Sequence, residues 1–534
     1  MEKITNKTGN ALHCGCCTSS RRAFLRDCAK CIGAVGAFSG LILPSMLTSS
    51  GCSSMQRMKI RTVFALIAPV QPRPDWPNIG FDFNPVMERI LNVLTNGCPD
   101  ITFVPSMVHG PEDADKLIAA DKAAGDIEGY LVVQLNVSTH VIHQFCDTGK
   151  PVLYADFLFA GTGSFLIFTA ELLNAGTTNL AHVGSSQIDH LAAAANCFPL
   201  AKGSGGIKAF VDAVTQLRIA VVAGVNVDMK CINDAVELLP MDELLKELRS
   251  KRILEFENGY TNFRRSAKET LGIEVIPRPF AELNDLWAKA DKDQTMEVVK
   301  RWKTNAMAII DVPDKTLEES AAMYVAMKQC LKKYEACAIT VDCLAGFYGG
   351  HIHAYPCLGF YELLNEGLIG VCECDVMSAI TMVVMTTWTK GRPGYISDPV
   401  LDMATKEIIY AHCVAPTKPF GKQTTANAFA IMTHSEDRQG ASLRSILPVG
   451  YMTTSVELDT NKKEILFHQA KTTGNSAEDR ACRTKLVAVP VGDFEKLYQE
   501  WRRWWWHRVT YYGDLKEPIY ALAKAIGWKV IEEA

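Results

Sequence analysis

From residue 61 onward, short apolar runs alternate with stretches whose apolar positions recur three and four apart. Residues 62–70 suit a buried strand, and 85–95 show helical spacing. The same pairing recurs with a strand over 101–104 and a helix over 113–124, then a strand over 129–135 and a helix over 137–148. A fourth strand, 151–154, leads into a glycine-rich turn. Strands that alternate with helices across short loops predict a mostly parallel sheet covered on both faces.

A second block of this kind spans residues 176–335, with strands expected over 180–183, 218–222, 273–277 and 306–310. From residue 338 the pattern changes to a short strand, a loop with His351 and His353, and then alternating β pattern over 443–449, 452–458, 464–467 and 485–491. A helix over 517–526 and a strand over 528–531 close the chain. The fold class predicted is α/β: two Rossmann-like open parallel-sheet lobes, 57–175 and 176–335, then a C-terminal α+β domain, 336–534, with an antiparallel barrel-like portion. A chain of 534 residues is long enough for such a division.

Composition narrows the class. Hydrophobic residues make up 48% and charged residues 21%, as in globular proteins. A formal charge of -4 with no long Lys/Arg run leaves no basic footprint for nucleic acid.

Residues 1–56 read as an address and linker. Ser20-Arg21-Arg22-Ala23-Phe24-Leu25 precedes a weakly apolar Gly/Ala run, the layout of a twin-arginine export signal, with Arg21 and Arg22 as its pair. Ser49-Ser50-Gly51-Cys52 is similar to a lipobox, with Cys52 as the residue to be acylated. The expected partner is the twin-arginine export machinery, and the expected location is periplasmic or membrane-anchored as a lipoprotein. Twelve of the eighteen cysteines lie beyond residue 56, and their spacing shows no disulfide framework.

Chemistry concentrates in the last third. Glu373 and Asp375 stand at the head of an apolar run, Asp398 follows a Lys390-Gly391 turn, and His507 lies in a Trp-rich segment. Two carboxylates and an imidazole suit a divalent ion with positions left open. Without an ion, and more simply, the same residues read as a helix-capping Asp375, a turn Asp398 and an aromatic-packed His507; beside an ion, Asp375 is expected to support the ligands from behind or to meet the substrate. Asp342 ends a strand and is divided between substrate contact and turn capping; His412 is divided between the substrate or metal surroundings and a buried hydrogen bond. His434 reads as a surface-loop residue.

The run Glu373-Cys374-Asp375 with its apolar helix, Lys390-Gly391 and Asp398, together with Trp506-His507-Arg508-Val509 far downstream, resembles the L-fucose/L-arabinose isomerase family over residues 336–534. The resemblance implies Glu373, Asp398 and His507 as metal ligands, with Mn2+ ahead of Co2+, Fe2+ or Mg2+. It implies Glu373 and Asp398 as the acid/base pair of aldose–ketose isomerisation through an enediol, a sugar substrate, and a homo-oligomer. Cysteines flank Glu373, and Arg508 follows His507 where the family has Gly. Two other readings share these features: an exported sugar-binding lipoprotein without catalysis, and a metal-dependent epimerase or lyase on the same scaffold.

Overall fold

The computed structural model describes residues 57–257, 261–501 and 506–534. Arg21, Arg22 and Cys52, on which the export and lipid-anchor readings rest, lie outside the described residues.

Five parallel strands form the first sheet: β1 (Met58–Ala65), β2 (Ile101–Val108), β3 (Gly129–Gln134), β4 (Val152–Asp156) and β5 (Leu180–Gly184). Their order is β2-β1-β3-β4-β5. Every residue of β3 and β5 is buried, as expected where helices cover both faces. β5, which the local pattern assigned to the second block, pairs Leu180 with Val152 and completes this first sheet. The expected strand over 218–222 is instead part of the helix Gly206–Gly224. Phe210, Val214, Arg218 and Val222 form its buried stripe at intervals of four, and that periodicity outweighs the local β-branched composition.

The second sheet holds β6 (Arg252–Phe256), β7 (Glu274–Arg278), β9 (Ala338–Val341) and β10 (Ile369–Val371) in the parallel order β10-β9-β6-β7. β8 (Ala308–Ile310), expected within it, pairs with β13 (Phe429–Met432), which also carries β14 (Ser442–Ser445).

The C-terminal portion is a closed barrel. β11 (Tyr395–Asp402), β12 (Glu407–His412), β15 (Met452–Asp459), β16 (Glu464–Asn475), β17 (Thr484–Pro490) and β18 (Arg508–Tyr512) follow the order β15-β18-β11-β12-β17-β16. Pairing of β15 with β16 closes the circle and removes both edges. β19 (Lys529–Glu532) adds to β16 in parallel. Two α/β lobes and an antiparallel barrel are thus both present.

The helix Val376–Trp388 is apolar on nearly every side, and twelve of its thirteen residues are buried. A helix hydrophobic all round belongs inside a protein. It packs against β15 and β18 of the barrel and against β6, β9 and β10 of the second sheet. Its N-cap is Asp375, whose Oδ1 accepts the Ser378 N–H at 2.9 Å. This interior helix fixes where the carboxylates ahead of it point. Among the described residues, no helix is long and apolar enough to cross a membrane.

Candidate functional site

β10 ends at Val371, and the helix starts at Val376. In the intervening turn Glu373 (φ 62°) and Cys374 (φ 52°) both adopt the left-handed conformation, uncommon for residues with side chains. Surrounding contacts hold this turn. The Cys374 N–H donates to Val341 O at 2.9 Å, and the Glu373 N–H donates to Cys343 Sγ at 3.3 Å. The Cys374 thiol donates to Glu257 O at 2.8 Å. The cysteines around Glu373 therefore brace the turn, and the turn presents the Glu373 carboxylate to a cavity.

Three other elements bring their side chains to the same place. Asp398 comes from β11, His412 from the end of β12, and His507 stands just before β18. His507 Nε2 lies 3.4 Å from Asp398 Oδ1 and 3.7 Å from Glu373 Oε2. His412 Nε2 lies 3.6 Å from Glu373 Oε1. Glu373, His412 and His507 each offer a ligand atom, and these atoms all lie within 4.8 Å of one another. Asp375 does not face the cavity as its neighbour does; its Oδ2 stands 2.9 Å from His507 Nδ1.

The two imidazoles differ in what their inner nitrogen does. His507 Nδ1 donates to a carboxylate, which leaves Nε2 as the lone-pair atom of the neutral ring. His412 Nδ1 accepts the Cys413 N–H at 3.0 Å, which leaves its proton on Nε2. Both Nε2 atoms are buried and make no hydrogen bond. Buried polar atoms ordinarily find partners. The orphaned His507 Nε2 lone pair, facing the Glu373 and Asp398 carboxylates, makes a donor set that a divalent ion satisfies, so these residues fit such a group, while the His412 Nε2–H is placed to donate beside it.

Electrostatics fit a cluster suited to a cation. Burial pushes Glu373 well above the usual carboxylate range, and Asp398 adds to this, while His507 opposes it. Burial likewise raises Asp398 to about 6 against the pull of His507. Burial alone would lower His507, but Asp398, the Asp375 hydrogen bond and Glu373 outweigh it and raise the ring to about 10. His412 falls to about 3, through burial first and His507 second. Asp375 stays below its ordinary value despite its burial, held there by His507.

The cavity is about 560 Å³. The first lobe supplies Arg73, Asp75 and Trp76 from the segment after β1, and Ser138 from the segment after β3. In a sheet ordered β2-β1-β3 that is the topological switch point, where ligands of open α/β sheets sit. Glu436 and Trp506 complete the wall with Tyr348, whose hydroxyl donates to Glu436 Oε2 at 2.7 Å. Burial raises Glu436 to about 7.

Asp75, Glu436 and Tyr348 were not singled out in the sequence, and Asp342 does not line the cavity; it stands at the head of the short helix Cys343–Tyr348. His351 and His353 are exposed, the first stacked on Phe280 and the second edge-on to Trp287, and neither lines the cavity. His434 is buried, not on a surface loop, with Nδ1 3.3 Å from Asp437 Oδ1. Ser-Glu-Asp after a histidine looks like a solvated loop, but here the loop folds inward and turns Glu436 toward the cavity. Arg508, which stands where the resembled family has Gly, is fully buried, does not line the cavity and donates to Glu533.

No family model matches the chain. Three curated relatives do, each a sulfoquinovose isomerase. That of Alkalicoccus urumqiensis is 22% identical over 141 residues, 26% of this chain and 31% of the relative. Those of Priestia aryabhattai and Priestia megaterium are each 20% identical over 318 residues, 56% of this chain and 69% of the relative. The chain is distantly similar to sugar isomerases. The first match spans less than a third of that relative's length.

Proposed function

We propose that the site binds one divalent cation through Glu373, Asp398 and His507 and interconverts an aldose and a ketose through an enediol, in the manner of the fucose/arabinose isomerases that residues 336–534 resemble. One observation carries this reading most: the buried His507 Nε2 has no hydrogen-bond partner, faces two carboxylates, and is held in the ligating tautomer by Asp375. The donor set is compatible with Mn2+, Co2+ or Fe2+, and the resemblance to the fucose/arabinose isomerases puts Mn2+ first. The position beside His412 opens to that ring only if its Cys413 contact is given up; otherwise its Nε2–H donates to Glu373 or to a substrate oxygen.

The ion would polarise the carbonyl and the adjacent hydroxyl and stabilise the developing enediolate charge. The chain's own residues do the rest. Glu373, open to the cavity, takes the proton from one carbon and returns it to the next. Asp398 takes and returns the hydroxyl proton on the other side. Trp76 and Trp506 shape an apolar wall against which a sugar ring can lie. Asp75 and Glu436 are acceptors for hydroxyls remote from the reacting carbons.

The relatives' named substrate is a sulfonated sugar, and Arg73 is the cationic side chain on the cavity wall among the described residues. The substrate panel therefore includes neutral and sulfonated aldoses. Incubation with Mn2+ in D2O, followed by mass spectrometry of each sugar, is expected to show deuterium entering C1 or C2 of at least one aldose–ketose pair. Exchange with no ketose formed would instead support an epimerase. Absence of exchange across the panel, with the metal bound, would favour the non-catalytic sugar binder.

The His507 shift sets a pH dependence. A ring whose proton affinity is raised to about 10 is protonated at neutral pH in the metal-free site, and that proton competes with the ion. Raising the pH removes the competitor. Mn2+ affinity is therefore expected to rise at least about tenfold per pH unit between about pH 7 and 9, with at least one proton released on binding. Calorimetry in buffers of different ionisation enthalpy measures both. An affinity flat across that range would contradict the assignment of His507.

Export through the twin-arginine route, with or without acylation at Cys52, is carried forward as part of the proposal, as is assembly into a homo-oligomer. Incorporation of a labelled lipid precursor, lost in Cys52→Ala, decides the anchor.

A further inference from the structure

Side chains from strands that are not neighbours meet inside the barrel. Tyr410 of β12 hydrogen-bonds His468 Nε2 of β16 at 2.7 Å, and His468 Nδ1 lies 3.1 Å from Glu533 Oε2. Arg508 at the start of β18 donates to the same carboxylate, from Nε to Oε1 and Oε2 at 3.0 and 3.1 Å and from Nη2 to Oε1 at 2.5 Å. Its guanidinium also lies 4.3 Å from the Trp501 ring centroid. Arg508 and Glu533 are both 0% exposed. Such a buried ion pair stabilises little or nothing relative to apolar packing of the same shape, so its contribution is sought in what it orients.

The remaining arm of the fork gives the direction. Arg508 Nη1 donates to the carbonyl oxygen of His507 at 2.8 Å. His507 precedes the β18 ladder, whose pairing with β11 begins at Ser397↔Arg508. Its ring is fixed at Nδ1 by Asp375, and its backbone is fixed by Arg508. We propose that Glu533, acting through Arg508, is a positioning residue for His507, which locks the histidine's backbone so that Nε2 faces Glu373 and Asp398. The consequence for metal binding rests on the metal-site reading above; the consequence for the His507 ring does not.

The carboxylate matters because a guanidinium is held in one plane only when both its prongs are engaged. Among the described residues, Glu457 is a second acidic group within the electrostatic reach of Arg508. Glu457 accepts from Thr381 at 2.8 Å and lies 3.2 Å from the Ser378 hydroxyl, which donates to Asp375 Oδ2 at 2.7 Å. A guanidinium drawn toward Glu457 would release the His507 carbonyl and disturb the support of Asp375 together.

The test uses the full chain with Glu533→Gln, Glu533→Asp, Arg508→Lys and, as a control inside the same barrel, Tyr410→Phe. Two readouts are taken: Mn2+ affinity by calorimetry, and the downfield proton resonance of the His507 Nδ1–H in metal-free protein, assigned by its loss in Asp375→Asn. Glu533→Gln and Arg508→Lys are expected to weaken Mn2+ binding by roughly tenfold and to shift or broaden that resonance. Glu533→Asp should recover much of both. Tyr410→Phe should lower the thermal midpoint while leaving both readouts at wild type. The proposal is overturned if Glu533→Gln and Arg508→Lys lower only the thermal midpoint, or if Tyr410→Phe moves the resonance and the affinity equally. Should Glu533→Gln not fold, Arg508→Lys alone decides. A wild-type protein that binds no Mn2+ would refute the metal reading, and the resonance would still decide the clamp.

Discussion

Glu373→Gln loses tight Mn2+ binding and roughly 10⁴-fold in the rate of sugar C–H exchange, while its fold and thermal midpoint stay near wild type. Both halves of that expectation follow from position. Glu373 offers an oxygen to the ion and is also the group placed to carry the proton, and general acid–base catalysis alone contributes about 10²- to 10⁴-fold. The amide keeps the shape of the side chain, and its backbone contacts to Cys343 are unaffected. In the metal-free protein burial already favours the neutral carboxyl, so replacing it by a neutral amide removes little that holds the fold together. Calorimetry and deuterium incorporation measure the losses, and thermal unfolding measures the stability. Substantial exchange by the variant would remove Glu373 from the chemistry.

Asp375→Asn separates two roles that the sequence left open for this residue. Asn serves nearly as well as Asp at a helix N-cap, so the helix Val376–Trp388 keeps its start. What changes is the partner of His507 Nδ1: the amide can donate as well as accept, and the ring is no longer confined to the tautomer with a bare Nε2. The expected cost is about 100-fold in Mn2+ affinity, at the upper end for groups that orient a ligating histidine. Asp375→Ala should show the same affinity loss and, in addition, about 1 kcal/mol of lost stability for the missing cap. If Asn leaves the affinity at wild type and only Ala is impaired, Asp375 is a cap and nothing more.

The sequence carried the parts of this site that depend on local pattern. Glu373 and Asp375 were visible because carboxylates bordering an apolar run need a reason, and His507 was visible through a downstream motif similar to that of a known family. Their convergence depended on the barrel, since β11 and β18 are adjacent only after the chain from 403 to 507 has closed around them. β8 shows the same limit: its three residues look like any buried strand, and their partner β13 lies over a hundred residues downstream. Glu436 and Asp75 could not be chosen in advance because the cavity is assembled from the first lobe and a loop beyond β13, each polar in its own right. The helix Gly206–Gly224 was a misreading of a different kind, in which a five-residue window with three β-branched residues hid a stripe of period four.

The thiols around the site also find a physical account. Cys343 Sγ accepts the Glu373 N–H of the left-handed turn, and the Cys374 thiol ties that turn to Glu257 O just beyond β6. All twelve cysteines among the described residues are free, in keeping with the absence of a disulfide pattern in their spacing.

The central claim is that Glu373, Asp398 and His507 hold one divalent ion. Crystals of the purified protein soaked in Mn2+ and measured for anomalous scattering test it most directly. The expected result is a single strong peak about 2.0–2.3 Å from a Glu373 oxygen, an Asp398 oxygen and His507 Nε2, absent from Glu373→Gln crystals treated in the same way. A site without anomalous density at saturating Mn2+, or density that persists unchanged in the variant, would contradict it.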